Sequence, residues 1–189
     1  MSPTSPETVT RRAANGWSPA KSADLYGIDA WGHDFFGVND DGEVTVRLAD
    51  ENGGTDVSLQ HLVNGLRDRG TELPVLLRFR DLLQSRIAEL NECFREAIGS
   101  TGYKGEYRGV YPIKVNQQRQ VIEEICDFGR RYHYGLEAGS KPELIAALAH
   151  MHDTDAYLVC NGYKDEEFID LALHAQKMGL KVMLVLEMP

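Results

Sequence analysis

No part of this 189-residue sequence approaches the ~20 consecutive apolar residues of a membrane-crossing helix, so neither a spanning segment nor a membrane partner is expected. Basic charge is also scarce: 20 Lys and Arg stand against 29 Asp and Glu, a formal net charge of −9. A general nucleic-acid binder needs a basic face, and that class is excluded. The three cysteines, Cys93, Cys126 and Cys160, are far apart and form no CxxC pair. This removes the usual zinc and redox patterns, and an odd, scattered set fits a reducing cytoplasm. The opening MSPTSPETVTRRAANGWSP lacks the apolar core of a signal peptide. What remains is an ordinary globular balance, 42% hydrophobic and 26% charged.

Three stretches are expected. Residues 1–22, rich in Pro, Ser and Thr, read as a disordered tail. Residues 23–108 read as a small α+β accessory region. Within it, Leu25 to Leu48 reads as a hairpin turning at Asn39-Asp40-Asp41-Gly42. Leu59, Leu62, Val63 and Leu66 then predict a helix over 57–69 that Gly70 ends. Residues 74–79 predict a short strand. Asp81 is placed to cap a helix with Leu83, Ile87, Leu90 and Phe94 as its stripe, and 99–108 reads as a loop.

From Gly109 onward the pattern becomes regular. Strands are predicted at 110–115, 134–138, 156–160 and 181–187. Helices lie between them, the second opened by a capping box in which Ser140 and Glu143 satisfy each other's backbone donors. Leu144, Ile145, Leu148 and Ala149 are expected on that helix's buried face. The strands are apolar on both faces, as in a buried parallel sheet. Their C-terminal tips carry Lys114, Glu137, Asn161 and Glu187, spaced by 23, 24 and 26 residues. A polar residue at each strand tip is how a (β/α)8 barrel assembles a site. The expected fold class is therefore α/β, with residues 109–189 forming about four βα units of a partial TIM-type barrel. The chain is expected to be the front part of a longer polypeptide, inactive by itself; a small open α/β sheet is the alternative. Pro112 is the local objection, because proline removes a ladder donor.

Lys114 is the most informative candidate. At the end of a buried strand, desolvation disfavours the ammonium and favours the free amine that attacks an aldehyde. A strand tip is where a Schiff-base lysine belongs, although the same place suits a lysine whose charge simply reaches solvent. Glu137, at the next tip, suits a carboxylate that steadies a protonated lysine or, equally, a plain ion pair. Asn161 and Tyr163 can hydrogen-bond a ligand, while Asn161-Gly162 is also an ordinary turn pair. GSTGYKG lacks the glycine spacing of a phosphate loop. His150 and His152 point to different sides of a helix and make no metal pair. Cys160 reads as packing rather than nucleophile.

Gly109-Val-Tyr-Pro-Ile-Lys-Val-Asn-Gln117 resembles the cofactor-lysine motif of the biosynthetic arginine decarboxylases. The likeness continues through Gly135-Leu-Glu-Ala-Gly-Ser-Lys141, Val159-Cys-Asn-Gly-Tyr-Lys-Asp165 and Lys177-Met-Gly-Leu-Lys181. It reaches back through 76–86 to Trp31-Gly32 and Val38-Asn39. The resemblance implies an alanine-racemase-type barrel that uses pyridoxal phosphate and magnesium to turn L-arginine into agmatine and CO2 for polyamine synthesis. It implies the Schiff-base role for Lys114 and the acidic neighbour's role for Glu137, with Asn161 at the cofactor. It also implies a cytoplasmic protein that is a homo-oligomer at full length. Ornithine or diaminopimelate decarboxylase, alanine racemase and a non-enzymatic pyridoxal-phosphate carrier share a lysine at this strand tip. The block before the barrel favours the arginine family over them.

Overall fold

The computed structural model describes residues 16–49 and 53–187. The chain divides into two compact units, Met1–Arg78 and Phe79–Pro189. Of the tail expected over 1–22, residues 1–15 lie outside the described residues, and from Pro19 the chain is helical. Helix α1 (Pro19–Leu25) starts there because the Ser18 side chain accepts from the Lys21 amide and Pro19 presets the first turn.

In the first unit, α2 (Ile28–Gly32) follows, so the expected hairpin begins later than Leu25. It is built from β1 (Phe36–Val38) and β2 (Val44–Leu48), antiparallel, with Val38 opposite Val44. The turn is the expected one: the Gly42 amide donates to Asn39 O at 2.9 Å, and the Asn39 side chain accepts from the Glu43 amide at 2.8 Å. A third strand, β3 (Thr55–Ser58), completes a β1-β2-β3 sheet. Ser58 then caps α3 (Leu59–Asp68), and Gly70 follows its end as the sequence predicts. Residues 74–79 form no regular secondary structure and join neither sheet, so the expected strand is absent. A short apolar run alone does not supply a ladder partner, and Leu76 is 73% exposed.

The second unit opens with α4 (Arg80–Thr101), so part of the expected accessory region, and of the loop at 99–108, belongs to this helix. Asp81 lies inside its first turn and Phe79 takes the capping position, which corrects the expected cap. The buried stripe is Leu83, Ile87 and Asn91; Leu90 and Phe94 face outward, with Phe94 stacked on Tyr107 at 4.0 Å. Asn91 tolerates burial because its amide donates to Ile87 O at 2.7 Å.

Then come β4 (Val110–Pro112), α5 (Arg119–Gly129), β5 (Gly135–Ala138), α6 (Lys141–His150), β6 (Tyr157–Cys160), α7 (Glu166–Lys177) and β7 (Lys181–Leu184). The four strands pair in sequence order and all run parallel. One face of the sheet packs on the helices: Leu136, Ala138, Leu158 and Cys160 meet Ile122, Ile125, Leu144, Ala147, Phe168 and Ala172 in one core. Each large apolar side chain fully buried there contributes roughly 1.5–3 kcal/mol. The small residues Ala138, Ala147 and Ala172 let helix and strand backbones approach. On α6 the buried face is Leu144 and Ala147, while Ile145 and Ala149 are exposed, contrary to expectation. Glu124 is buried on α5 and takes Nε of Arg80 on one oxygen and Nε2 of Gln84 on the other, pinning α4 to α5.

Asp165 caps α7 by accepting from the Phe168 amide at 3.0 Å and also pairs with Lys141 at 2.8 Å. Asp165→Ala should cost about 1 kcal/mol in denaturant unfolding, whereas Asp165→Asn, which still caps, should lose clearly less. Equal losses from the two would show that the cap contributes nothing.

Candidate active site

The C-terminal ends of β4 to β7 lie side by side, and the sequence-predicted residues gather around them. Pro112 sits opposite Glu137 at the last paired position of β4. With no amide hydrogen to donate and φ fixed at −72°, it ends the strand there, not at 115. The chain then winds through a single 3-10 turn, Ile113–Val115, that packs on β5 and α6. Ile113 is 1% exposed and anchors the turn; Lys114, beside it, is exposed. The expectation of a lysine at a buried strand end is corrected: the strand stops two residues earlier and the turn presents Lys114 to solvent.

Glu137 occupies the third position of β5 and is 8% exposed. Leu136 and Ala138 face the helices, so alternation puts Glu137 on the other face of the sheet. Its Oε1 is buried and has no hydrogen-bond partner among the described residues. A buried acceptor left unmade is costly, and such an atom is a mark of a functional site.

Gly139 is the centre of the cluster. An ideal Cβ placed on it would lie 3.8 Å from Glu137 Oε1, 3.4 Å from Glu143 Oε2 and 4.0 Å from Asn161 O. The capping box is present in altered form. Ser140 Oγ accepts from the Glu143 amide at 3.4 Å, but Glu143 reaches past Ser140 to the Gly139 amide at 2.7 Å. Its other oxygen accepts from Gln117 Nε2 at 3.2 Å. Glu143 thus ties the chain just after Lys114 to the tip just after Glu137, a link that the capping pattern alone did not reveal.

Asn161 continues β6: its amide donates to Ala138 O at 2.9 Å. Its side-chain oxygen accepts from the Gly162 amide at 3.0 Å, as an Asn-Gly turn pair can. Tyr163 is exposed. Glu187 lies beyond β7, which ends at Leu184, although the Val185 amide still reaches Cys160 O at 2.9 Å. Burial pushes the Cys160 thiol up to about 11, so it is a packing residue and a poor nucleophile at neutral pH. Among the described residues, Lys114, Glu137 and Asn161 share one end of one sheet, yet no hydrogen bond or ion pair joins their side chains. Sequence reasoning missed Lys164, whose buried side chain pairs with Glu187 at 2.8 Å. The signal was there: a lysine three residues past one strand tip, with an acid at the next.

Residues 85–188 match the family described as pyridoxal-dependent decarboxylase, pyridoxal binding domain. The biosynthetic arginine decarboxylase of Gloeobacter violaceus is 51% identical over 171 residues, which is 90% of this chain and 26% of that protein. The one of Thermosynechococcus vestitus is 47% identical over 182 residues, 96% of this chain and 28% of that protein. The crystal structure of the biosynthetic arginine decarboxylase of Campylobacter jejuni superposes with a TM-score of 0.78 at 38% identity, covering 86% of this chain and 27% of that one. The chain thus spans about a quarter of the length of the relatives it matches, and its four βα units align with an enzyme of known fold. With its parallel sheet and the match over more than half of its residues, the chain belongs to the pyridoxal-dependent decarboxylases and carries their pyridoxal-binding domain.

Proposed function

We propose that this chain is the pyridoxal-phosphate-binding part of an arginine decarboxylase, with Lys114 holding the cofactor and Glu137 and Asn161 beside it. The observation that carries the proposal is the buried, unpartnered Oε1 of Glu137 at the strand tips. The residues fit the cofactor. Lys114 offers an exposed amine one turn past β4, and Gly139 leaves open the space that a Cβ would fill between three polar groups. Bound pyridoxal phosphate supplies an electron sink for the carbanion that loss of CO2 leaves. The protein's share is positional and electrostatic. Lys114 Nζ would hold the cofactor covalently, and its amine would serve as the acid or base available at the strand tips. Glu137 Oε1 accepts a proton or hydrogen bond from an amine brought to the tips, which holds that amine in place.

Arginine as the substrate is supported by the names of the relatives and by the span of the likeness, which takes in the first unit as well as the barrel strands. In the same proposal the intact protein is a cytoplasmic homo-oligomer that feeds polyamine synthesis, and its net charge of −9 disfavours nucleic acid as a partner. No helix among the described residues is long and apolar enough to cross a membrane. Magnesium rests on the resemblance alone. One trio of metal-capable side chains, His133, Asp153 and Asp155, has ligand atoms within 4.8 Å of one another. It does not fit that ion: His133 pairs with Asp153 at 2.9 Å, Lys181 holds Asp155 at 2.6 Å, and a hard cation favours a shell of oxygens.

The test is CO2 release by the intact protein from arginine, ornithine and diaminopimelate at matched concentration, with pyridoxal phosphate and magnesium supplied. Arginine should turn over at least about tenfold faster than either competitor, because a guanidinium engages a carboxylate through two parallel hydrogen bonds. Comparable ornithine turnover would overturn the substrate, and no release from any of the three would overturn the decarboxylase.

A further inference from the structure

Lys164 is unusual among the lysines of this chain, because its side chain is only 8% exposed. A buried ammonium is stable only where its donors are taken. Here Nζ donates to the Gly162 carbonyl and, at 2.8 Å, to Glu187 Oε2. The other oxygen of Glu187 accepts from the Gly162 amide at 2.6 Å. The hydrogen bond from Lys164 holds the Glu187 carboxyl below the usual carboxylate range. The two side chains therefore grip Gly162 from both sides, one on its carbonyl and one on its amide.

Gly162 is also where β6 meets β5. It has φ +74°, and a Cβ on it would lie 2.7 Å from the Gly139 carbonyl oxygen. The residue before it, Asn161, donates its amide to Ala138 O. Whatever fixes Gly162 therefore fixes the spacing between the Asn161 tip and the Gly139 tip, where Glu137 Oε1 stands unpartnered. Free of the grip, the segment 161–164 keeps the Asn161 bond to Ala138 O and the bond from the Gly162 amide to Asn161 Oδ1 at 3.0 Å, both at its first two residues, so the clamp is what ties it to the β7 side.

We infer that Lys164 and Glu187 are a positioning pair, a clamp on Gly162 that sets the β6 tip against the β5 tip and so holds Asn161 in register with Glu137; this rests on the decarboxylase reading above. Neither residue touches the reacting atoms. The pair acts through the backbone of 161–163, as an ion pair closed over a peptide unit.

The test uses the intact protein loaded with pyridoxal phosphate, and two variants, Lys164→Met and Glu187→Gln. Amide exchange followed by mass spectrometry should show faster exchange in the peptide covering 160–165 for Lys164→Met, and a smaller change of the same sign for Glu187→Gln. Lys164→Arg, which keeps the charge and can donate to both partners, should recover most of the protection. Borohydride reduction should still mark Lys114 in every variant. Arginine turnover by Lys164→Met should fall on the order of tenfold in kcat, with KM changed by less than about twofold. Unchanged exchange at 160–165 in both variants, or unchanged kcat in Lys164→Met, overturns the clamp. Should Lys164→Met fail to fold, Glu187→Gln decides by the same two readouts. If the unmodified protein does not decarboxylate arginine, the proposed function fails, and the exchange measurement still decides the clamp.

Discussion

Lys114→Ala should abolish covalent retention of the cofactor and lower arginine turnover on the order of a thousandfold or more. Lys114 stands in the 3-10 turn Ile113–Val115, held from behind by the fully buried Ile113 and followed at Gln117 by the bond to Glu143. Removing the amine deletes the attachment point while leaving that framework in place, so the cofactor-free forms of variant and wild type should melt at the same temperature. The measurement is borohydride reduction of the loaded protein followed by peptide mapping, with wild type and variant in parallel. A label on another lysine in the wild type, such as Lys104 or the buried Lys164, would refute the role of Lys114. Retention of activity by the alanine variant would refute it as directly.

The second large effect concerns the sheet itself. Gly135→Ala should destabilise the protein by ~3 kcal/mol or more, beyond the usual cost of an overpacked site. A Cβ at 135 would stand 2.0 Å from the Tyr157 carbonyl oxygen, which belongs to the neighbouring strand and cannot swing aside as a side chain would. Relief requires β5 and β6 to part, and the pairs Leu136 with Leu158 and Glu137 with Val159 part with them. The denaturant midpoint of the intact protein reports this directly. A midpoint equal to that of wild type would mean that the two backbones are not in such close approach.

The regular half of the fold was legible because its signals are periodic. Apolar strand runs one βα unit apart located β4 to β7 within a few residues, and Ser140 marked a helix start, while the Asp165 cap of α7 was not read from the sequence. The failures were of three kinds. Residues 74–79 look like a strand, but whether a partner runs beside them is a property of the whole molecule. On α6, alanines and leucines at every third and fourth position allow two faces, and tertiary packing chose Ala147 over Ile145. At the site, spacing placed Lys114, Glu137 and Asn161 at one end of one sheet, but not the reach of long side chains. Glu143 bonds one residue further back than a capping box demands, and Lys164 turns inward to Glu187, both decided by distances of a few ångströms.

The starts of α6 and α7 have a consequence for how a phosphorylated ligand can be seated. Helix beginnings are natural anion receptors, because their first amides are unpaired and the dipole is positive there. At α6 the Ser140 hydroxyl already takes the Glu143 amide, Pro142 has none, and the Glu143 carboxylate stands at the Gly139 amide just before the helix; at α7 the Asp165 carboxylate takes the Phe168 amide, with Glu166 and Glu167 adding charge of the same sign. A phosphate arriving at either would meet resident carboxylates in the seats it requires. A phosphate could take either place only by displacing a resident group, and at α7 also by competing with the Lys141 ion pairs to Asp165 and Glu167.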